Sequence, residues 1–334
     1  MSAAVLLSLG VSAILIAIAG KSPTAAMSAL LEGAVGSKAA LSNTANKTAA
    51  LLLVALGVIV AWRAKLLNVG GEGQIYTGAL AGLLVADLVA LPGLLHVLVA
   101  MVGAAVGGAL LGLLAGVLKV KRNVNEVIST LLLNFVAISF VSYLVHGPLM
   151  ESSEAFQRLP QSAPVAESAR LPRPFSGMTL HAGLLVALAL VFLVSWMLRR
   201  TTFGMTLKVV GANPDAARHA GLPAGRVALA AMAIAGGFAG LAGGSMLLGE
   251  QFRLQDGFSP GFGFDGIVVA LLAQGSPVGA VLASVLFGGL RAGGGLMQAK
   301  VGVPASLVLV TQGLVVLFVA ASNWLSERRS ARGS

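Results

Sequence analysis

Uncharged apolar runs recur from one end of this chain to the other, and they leave few folds open. They fall near residues 3–20, 48–62, 74–91, 94–118, 126–147, 179–198, 226–249, 263–274, 277–291 and 303–322. A helix crossing a bilayer needs about 20 such residues. Of the 334 residues, 57% are hydrophobic and 10% are charged, whereas an average soluble domain is about 25% charged. Disordered chains and coiled coils are excluded by the same composition. Period-two alternation is missing, which argues against a membrane β-barrel. The expected fold is all-α: a single transmembrane domain over 1–334, built as a polytopic bundle of about ten helices. The N-terminal run lacks a basic leader and is expected to be kept as the first span. The runs 263–274 and 277–291 are separated by Gln274-Gly275-Ser276-Pro277, and each is too short to cross untilted. They predict a hairpin of short helices buried in protein.

The net charge is +10. Around so many apolar runs, Lys and Arg mark cytoplasmic loops rather than a nucleic-acid partner. One alternating set of loops, 62–73, 119–126, 199–226 and 323–334, holds 13 of the 22 basic residues. That set is expected to be cytoplasmic, with both termini on the same side. The longest break between spans, 148–178, is then external. It carries Pro148, Pro160, Pro164, Pro172 and Pro174, and its arginines balance Glu151, Glu154 and Glu167. This predicts an ordered surface loop. Glycines repeat at four-residue spacing at 108, 112 and 116, and again at 236, 240 and 244. Such stripes let helix backbones approach closely.

Catalytic chemistry finds little support. There is no cysteine, so thiolate metal sites and cysteine nucleophiles are excluded. No phosphate-binding GxxxxGK[ST] loop occurs. Residues 261–266 match GxGxxG by letter, but no strand precedes them, so a dinucleotide site is discarded. The four histidines lack metal-ligand spacing. The chain is expected to be no enzyme and to hold no cofactor.

Three polar stretches are more informative. In 201–223, Asn213 is a good N-cap, Pro214 suits the first helical position and Asp215 faces the positive end of the helix dipole. Gly221 is a natural stop, with Pro223 beyond it. The body is Ala216, Ala217, Arg218, His219 and Ala220: a slim helix of about two turns that needs a docking surface. In 62–82, Asn68, Glu72 and Gln74 gather where a span begins, beside Gly70, Gly71 and Gly73. They read as capping groups or as the lining of a cytoplasmic mouth. In 121–135, Asn123 and Glu126 have capping-box spacing, and Asn134 lies about two turns inside an apolar helix. A buried amide there requires a partner on another helix or on a substrate. Asp87 and Asp265 fall inside apolar runs, near predicted outer helix ends.

Together these stretches resemble the inner-membrane permeases of ABC importers, in the branched-chain amino acid and simple-sugar permease superfamily. The likeness is greatest to nucleoside and simple-sugar permeases that work with a binding lipoprotein. It is carried by Asn68, Gly70, Glu72, Gly73 and Gln74, and by Asn125, Glu126, Val127, Leu133 and Asn134. The proline-punctuated loop at 159–173 is similar too. So are Gly211, Asn213, Ala217 and Gly221 of the cytoplasmic coupling segment, and Gly263, Asp265, Gly266, Ala270, Leu271 and Pro277 of the late hairpin.

The resemblance implies a permease subunit in the bacterial plasma membrane, paired with a second and non-identical permease. An extracytoplasmic lipoprotein would deliver a neutral polar solute, a nucleoside before a simple sugar. A cytoplasmic ABC ATPase would bind ATP and Mg, and would drive the permease through Gly211, Asn213, Pro214, Asp215, Ala216, Ala217, Arg218 and Gly221. Asn68, Glu72, Gln74, Asn134 and Asp265 are the candidate pathway residues. The reading from another class is an ion-coupled secondary transporter, with Asp87 and Asp265 as coupling groups.

Overall fold

The computed structural model describes residues 2–89, 91–151 and 159–332; Glu154 and Arg158 of the long loop lie outside them. Thirteen α-helices follow one another among these residues. They begin with α1 (Ser2–Ile18), α2 (Pro23–Val35), α3 (Lys38–Arg63), α4 (Gly71–Leu88), α5 (Gly93–Arg122) and α6 (Glu126–His146). Next come α7 (Gly183–Arg200), α8 (Thr202–Ala212), α9 (Pro214–His219) and α10 (Ala224–Met246). A π-turn at Leu247–Gln251 extends α10, and α11 (Phe262–Leu272), α12 (Pro277–Val301) and α13 (Ala305–Arg332) complete the order. Six helices among the described residues are long and apolar enough to cross a membrane: α3, α5, α6, α7, α10 with its π-turn, and α12. The apolar windows of α6 and α7 are only 28% and 22% buried, a surface suited to lipid rather than water.

Contacts divide the chain into two compact units. The larger comprises 49–174 and 181–281, and the smaller comprises 1–48, 175–180 and 282–334. In the larger unit, α4 and α5 both pack on α10 through glycine. A Cβ on Gly108 would fall on the Gly236 carbonyl oxygen, and one on Gly240 would fall on that of Ala104. Gly112 meets the Met232 carbonyl in the same way, and Gly78 meets the Cα of Gly240. The two stripes found in the sequence therefore face each other within one chain. Backbone contact of this kind gathers many small dispersion terms over a short distance.

The loop after α6 is strapped down over the π-turn segment. Ser162 N donates to Leu254 O at 2.8 Å, Val165 N to Phe252 O at 2.8 Å and Leu171 N to Leu248 O at 2.8 Å. Arg253 pairs with Glu151, and the Arg170 guanidinium lies 4.8 Å from the Phe252 ring centre. His96, buried on α5, joins the Ala86 carbonyl at 3.0 Å and Ser168 Oγ at 2.9 Å. It ties this loop to α4 and α5 and serves as a satisfied core histidine.

In the smaller unit, α2 meets α12 through Gly33 and Gly293. A Cβ on Gly33 would lie 2.9 Å from the Gly293 Cα, and Lys300 Nζ reaches Glu32 at 2.7 Å. Thr44 Oγ1 donates to the Ala34 carbonyl at 2.7 Å, closing the turn from α2 to α3.

Three local expectations are corrected. The hairpin is asymmetric: α11 has 11 residues, but α12 has 25. Arg291 ends the apolar run without ending the helix, because a charge interrupts hydropathy but not backbone hydrogen bonding. The next proline is Pro304. The cap of α6 is Asn125, whose Oδ1 accepts from Val127 N at 2.9 Å. Asn123 instead closes α5 in a left-handed conformation, φ 53°, which short polar side chains tolerate. Glu126 pairs with Lys119 at 2.9 Å. Finally, residues 202–212 form a helix, α8, that was expected to be loop. Thr201 caps it by accepting from Gly204 N at 3.2 Å.

Candidate functional site

Between α3 and α4 the chain leaves helical geometry at Lys65, φ 52°, and runs non-helical through residue 70. Asn68 and Gly70 are nevertheless buried. Buried irregular backbone is tolerated only when its polar groups find partners, and here α6 supplies them. Asn134 Nδ2 donates to Val69 O at 2.9 Å, while its Oδ1 accepts from Gly73 N at 2.8 Å. Val69 N donates to Thr130 Oγ1 at 3.2 Å. Asn68 Oδ1 accepts from Gly70 N at 3.0 Å, and the Asn68 and Gln74 amides bond reciprocally at 2.8 and 3.1 Å. Gly73 has no room for a side chain, because a Cβ there would sit 2.8 Å from the Asn134 Cα.

Glu72 stands in the first turn of α4 and is 3% exposed. Its Oε1 accepts from Gly261 N at 2.9 Å and its Oε2 from Gly263 N at 2.6 Å. Those donors open α11, which Gly261 enters in the left-handed region at φ 91°. Two helix N-termini thus converge on one carboxylate. Each presents partial positive charge and unpaired N–H groups, so the anion stabilises both where they would otherwise repel. Tyr76, one turn further along α4, accepts from Ser259 N at 3.2 Å and meets the Phe258 ring edge-on.

The structure therefore unites Asn68, Glu72, Gln74 and Asn134 in one junction of α4, α6 and α11. Asp265 lies in the first turn of α11, on the helix that Glu72 caps, and is half-buried. Sequence reasoning missed Thr130, Tyr76 and Gly261, and named Gly263 only as part of the late hairpin. The two glycines stood in view inside the discarded GxGxxG match, where they serve as donors to a carboxylate rather than to a phosphate.

The second candidate segment is α8 with α9. Asn213 Oδ1 accepts from Asp215 N and Ala216 N, both at 3.0 Å, and Pro214 opens the helix. Gly221 turns the chain away at φ 77°. Asp215, Ala216, Arg218 and His219 are exposed. Arg218 pairs with Asp215 of its own helix at 2.6 Å, so its first partner is internal. Ala217 is fully buried within the chain and faces away from any partner on the exposed side. Gly211 is a packing residue: a Cβ there would overlap the Arg63 carbonyl oxygen, which lets α8 lie on the end of α3.

Comparison with known proteins gives the class. The chain is 35% identical to the glucose ABC transporter permease of Haloferax volcanii, over 97% of this chain and 87% of the relative. It is 34% identical to the guanosine ABC transporter permease of Bacillus subtilis, over 96% of this chain and 92% of the relative. It is 29% identical to the nucleoside ABC transporter permease of Lactococcus lactis, over 92% and 86%. Residues 40–320 match the family described as the permease component of the branched-chain amino acid transport system. With its apolar helices and its match along most of its length, this chain is a multi-pass membrane protein and belongs to that permease family.

Proposed function

We propose that this permease carries a neutral polar solute, a nucleoside before a simple sugar, into the cell on an ATP-driven importer. The observation that carries the reading is the near full-length similarity to permeases for guanosine, nucleosides and glucose. The junction is consistent with an uncharged cargo, since both oxygens of its buried carboxylate already accept backbone N–H groups. Family membership favours ATP drive over ion coupling. Cells with and without this chain should be compared for uptake of labelled uridine, adenosine, ribose and glucose. Loss of nucleoside uptake alone supports the first choice, and loss of hexose uptake alone would replace it. Unchanged uptake of all four would refute the reading.

Asn68, Glu72, Gln74 and Asn134 hold the α4 entrance in shape beside the solute pathway, and Asp265 belongs to the same wall. The chain forms one permease domain of about ten membrane-inserted helices, with α11 as a half-helix, in the bacterial plasma membrane. Both termini are cytoplasmic. A second, non-identical permease completes the pathway, and a binding lipoprotein docks on the strapped outer loop. A cytoplasmic ATPase supplies ATP and Mg and engages α9.

The exposed Asp215, Arg218 and His219 make the ATPase contact, while Asn213, Pro214, Ala217, Gly211 and Gly221 set the position of the helix. Charge reversal of the pair, Asp215→Arg with Arg218→Glu, keeps the internal ion pair but inverts the surface. It should weaken ATPase co-purification and abolish transport while the protein still accumulates in the membrane. Normal assembly and transport would remove α9 from the coupling role.

A further inference from the structure

One strongly basic hollow is unused by the mechanism above. It is a cavity of about 710 Å³ between the end of α3, the α7–α8 corner and the turn after α11. Arg63, Arg199, Arg200 and Lys208 line it, and no carboxylate does. Arg63 keeps one bond to protein, from Nη2 to the Gly275 carbonyl at 3.1 Å. Ser195 Oγ also lines the cavity and is buried without a hydrogen-bond partner among the described residues. A neighbouring hollow of about 460 Å³ shares Arg63 and Gln274 and adds Trp62 and Lys65.

Its height in the membrane follows from α7. That helix is an apolar span ending in Arg199 and Arg200, and cations at the end of such a span reach for the headgroup layer. Trp196, 51% exposed, lies on α7 less than one turn before Arg199. Indole rings collect at that same level. Below it Phe192 is 76% exposed, and on α8 the cavity-lining Met205 is 70% exposed. Four like charges gathered around one hollow repel one another unless an anion sits among them. Apolar surface beside that anion suits acyl chains better than it suits a water-soluble loop.

We infer that this cavity binds the phosphodiester headgroup of an anionic phospholipid, with its acyl chains lying along α7. Basic pockets between membrane helices are suited to such headgroups. Arg199 and Arg200 offer forked donors to phosphate oxygens, Lys208 adds a point charge and Ser195 offers a free hydroxyl. The inference is independent of which solute the importer carries.

The assembled importer should be reconstituted in phosphatidylcholine nanodiscs with and without phosphatidylglycerol, and the retained lipid counted by native mass spectrometry. Wild type should retain phosphatidylglycerol against an excess of inorganic phosphate. The triple variant Arg199→Gln, Arg200→Gln, Lys208→Gln should lose affinity by about fivefold per cation removed. Lys121→Gln with Arg122→Gln, which removes charge elsewhere, should change nothing. The pair Arg199→Lys, Arg200→Lys keeps the charge and should keep most of the lipid, which separates binding from misfolding. Equal retention of phosphatidylglycerol by the triple variant would overturn the proposal. So would displacement by inorganic phosphate, which would make this a free-anion site. Loss of the ATPase with lipid retained would instead make the cavity a protein-docking surface.

Discussion

The α5–α10 contact and the junction of α4 with α11 both bring backbone against backbone, but different chemistry holds them. In the first, glycine stripes at four-residue spacing meet directly, with carbonyl oxygens where side chains would be. In the second, a carboxylate and two amides fill the hydrogen bonds that non-helical backbone leaves open. The first contact depends on what is missing from its residues. The second depends on what each side chain carries. A small-residue seam should therefore fail by added volume, and a polar junction by a lost donor or acceptor.

The largest effect should come from volume in the seam. Gly108→Leu places a branched side chain on the Gly236 carbonyl, where no flexible neighbour can yield. Overpacking a tight contact costs about 3 kcal/mol or more, so little folded protein should reach the membrane. Size-exclusion profiles of the solubilised chain would measure this. A normal profile would mean that the two helices separate without penalty.

Asn134→Leu preserves volume but orphans Val69 O and Gly73 N. Each buried unsatisfied group costs about 1–3 kcal/mol, so the melting temperature should drop clearly while the fold persists. Uptake should fall as well if the α4 entrance borders the pathway. A variant with wild-type melting would show that water replaces the amide.

His181, in the loop ahead of α7, combines both chemistries. Its ring occupies a slot made by glycine, where a Cβ on Gly249 would sit 2.5 Å from it. Its Nδ1 accepts from Gly183 N at 3.1 Å. Burial, and then the charge of Arg173, lower its pKa to about 4. The folded state therefore keeps this ring neutral, while the unfolded chain protonates near its ordinary value of 6.5. Stability is complete above pH 6.5 and declines below it, by at most about 1.4 kcal/mol per pH unit until pH 4. Melting curves of wild type and His181→Gln across that range should converge at acid pH. A constant offset would remove His181 from the acid response.

The smallest effect should be a gain. Gly295 lies inside α12 with open space where a Cβ would go. Gly295→Ala should stabilise by about 0.5–1 kcal/mol through helix propensity alone. A loss would indicate that this position packs against a partner subunit.

How far these features could be read beforehand follows the same division. Glycine spacing marked both stripes, because a helix repeat places such residues on one face, although it did not identify the facing helix. Asn213 and Pro214 announced the start of α9, since capping is local. Asn134 stood out as an amide in an apolar helix that had to find a partner. The partners themselves were hidden. Glu72 looked like a cap for its own helix, and nothing in its neighbourhood pointed to Gly261, 189 residues away. Ala217 looked available to a partner because small residues read alike whether they face inward or outward. The end of α12 is hidden for another reason: Arg291 ends the apolar run, but arginine is a good helix former and the backbone hydrogen bonds run on past it.

That separation of Glu72 from Gly261 has a consequence in time. A ribosome adding about 5–20 residues per second needs on the order of 10–40 s to reach Gly261 after it has made Glu72. Throughout that interval the carboxylate at the head of α4 lacks the two N–H donors that the finished protein gives it. Until α11 arrives, this carboxylate must find its hydrogen bonds in water or in other polar groups. A chain that stops before residue 261 leaves Glu72 without either donor, so the head of α4 acquires its final polar contacts only late in synthesis.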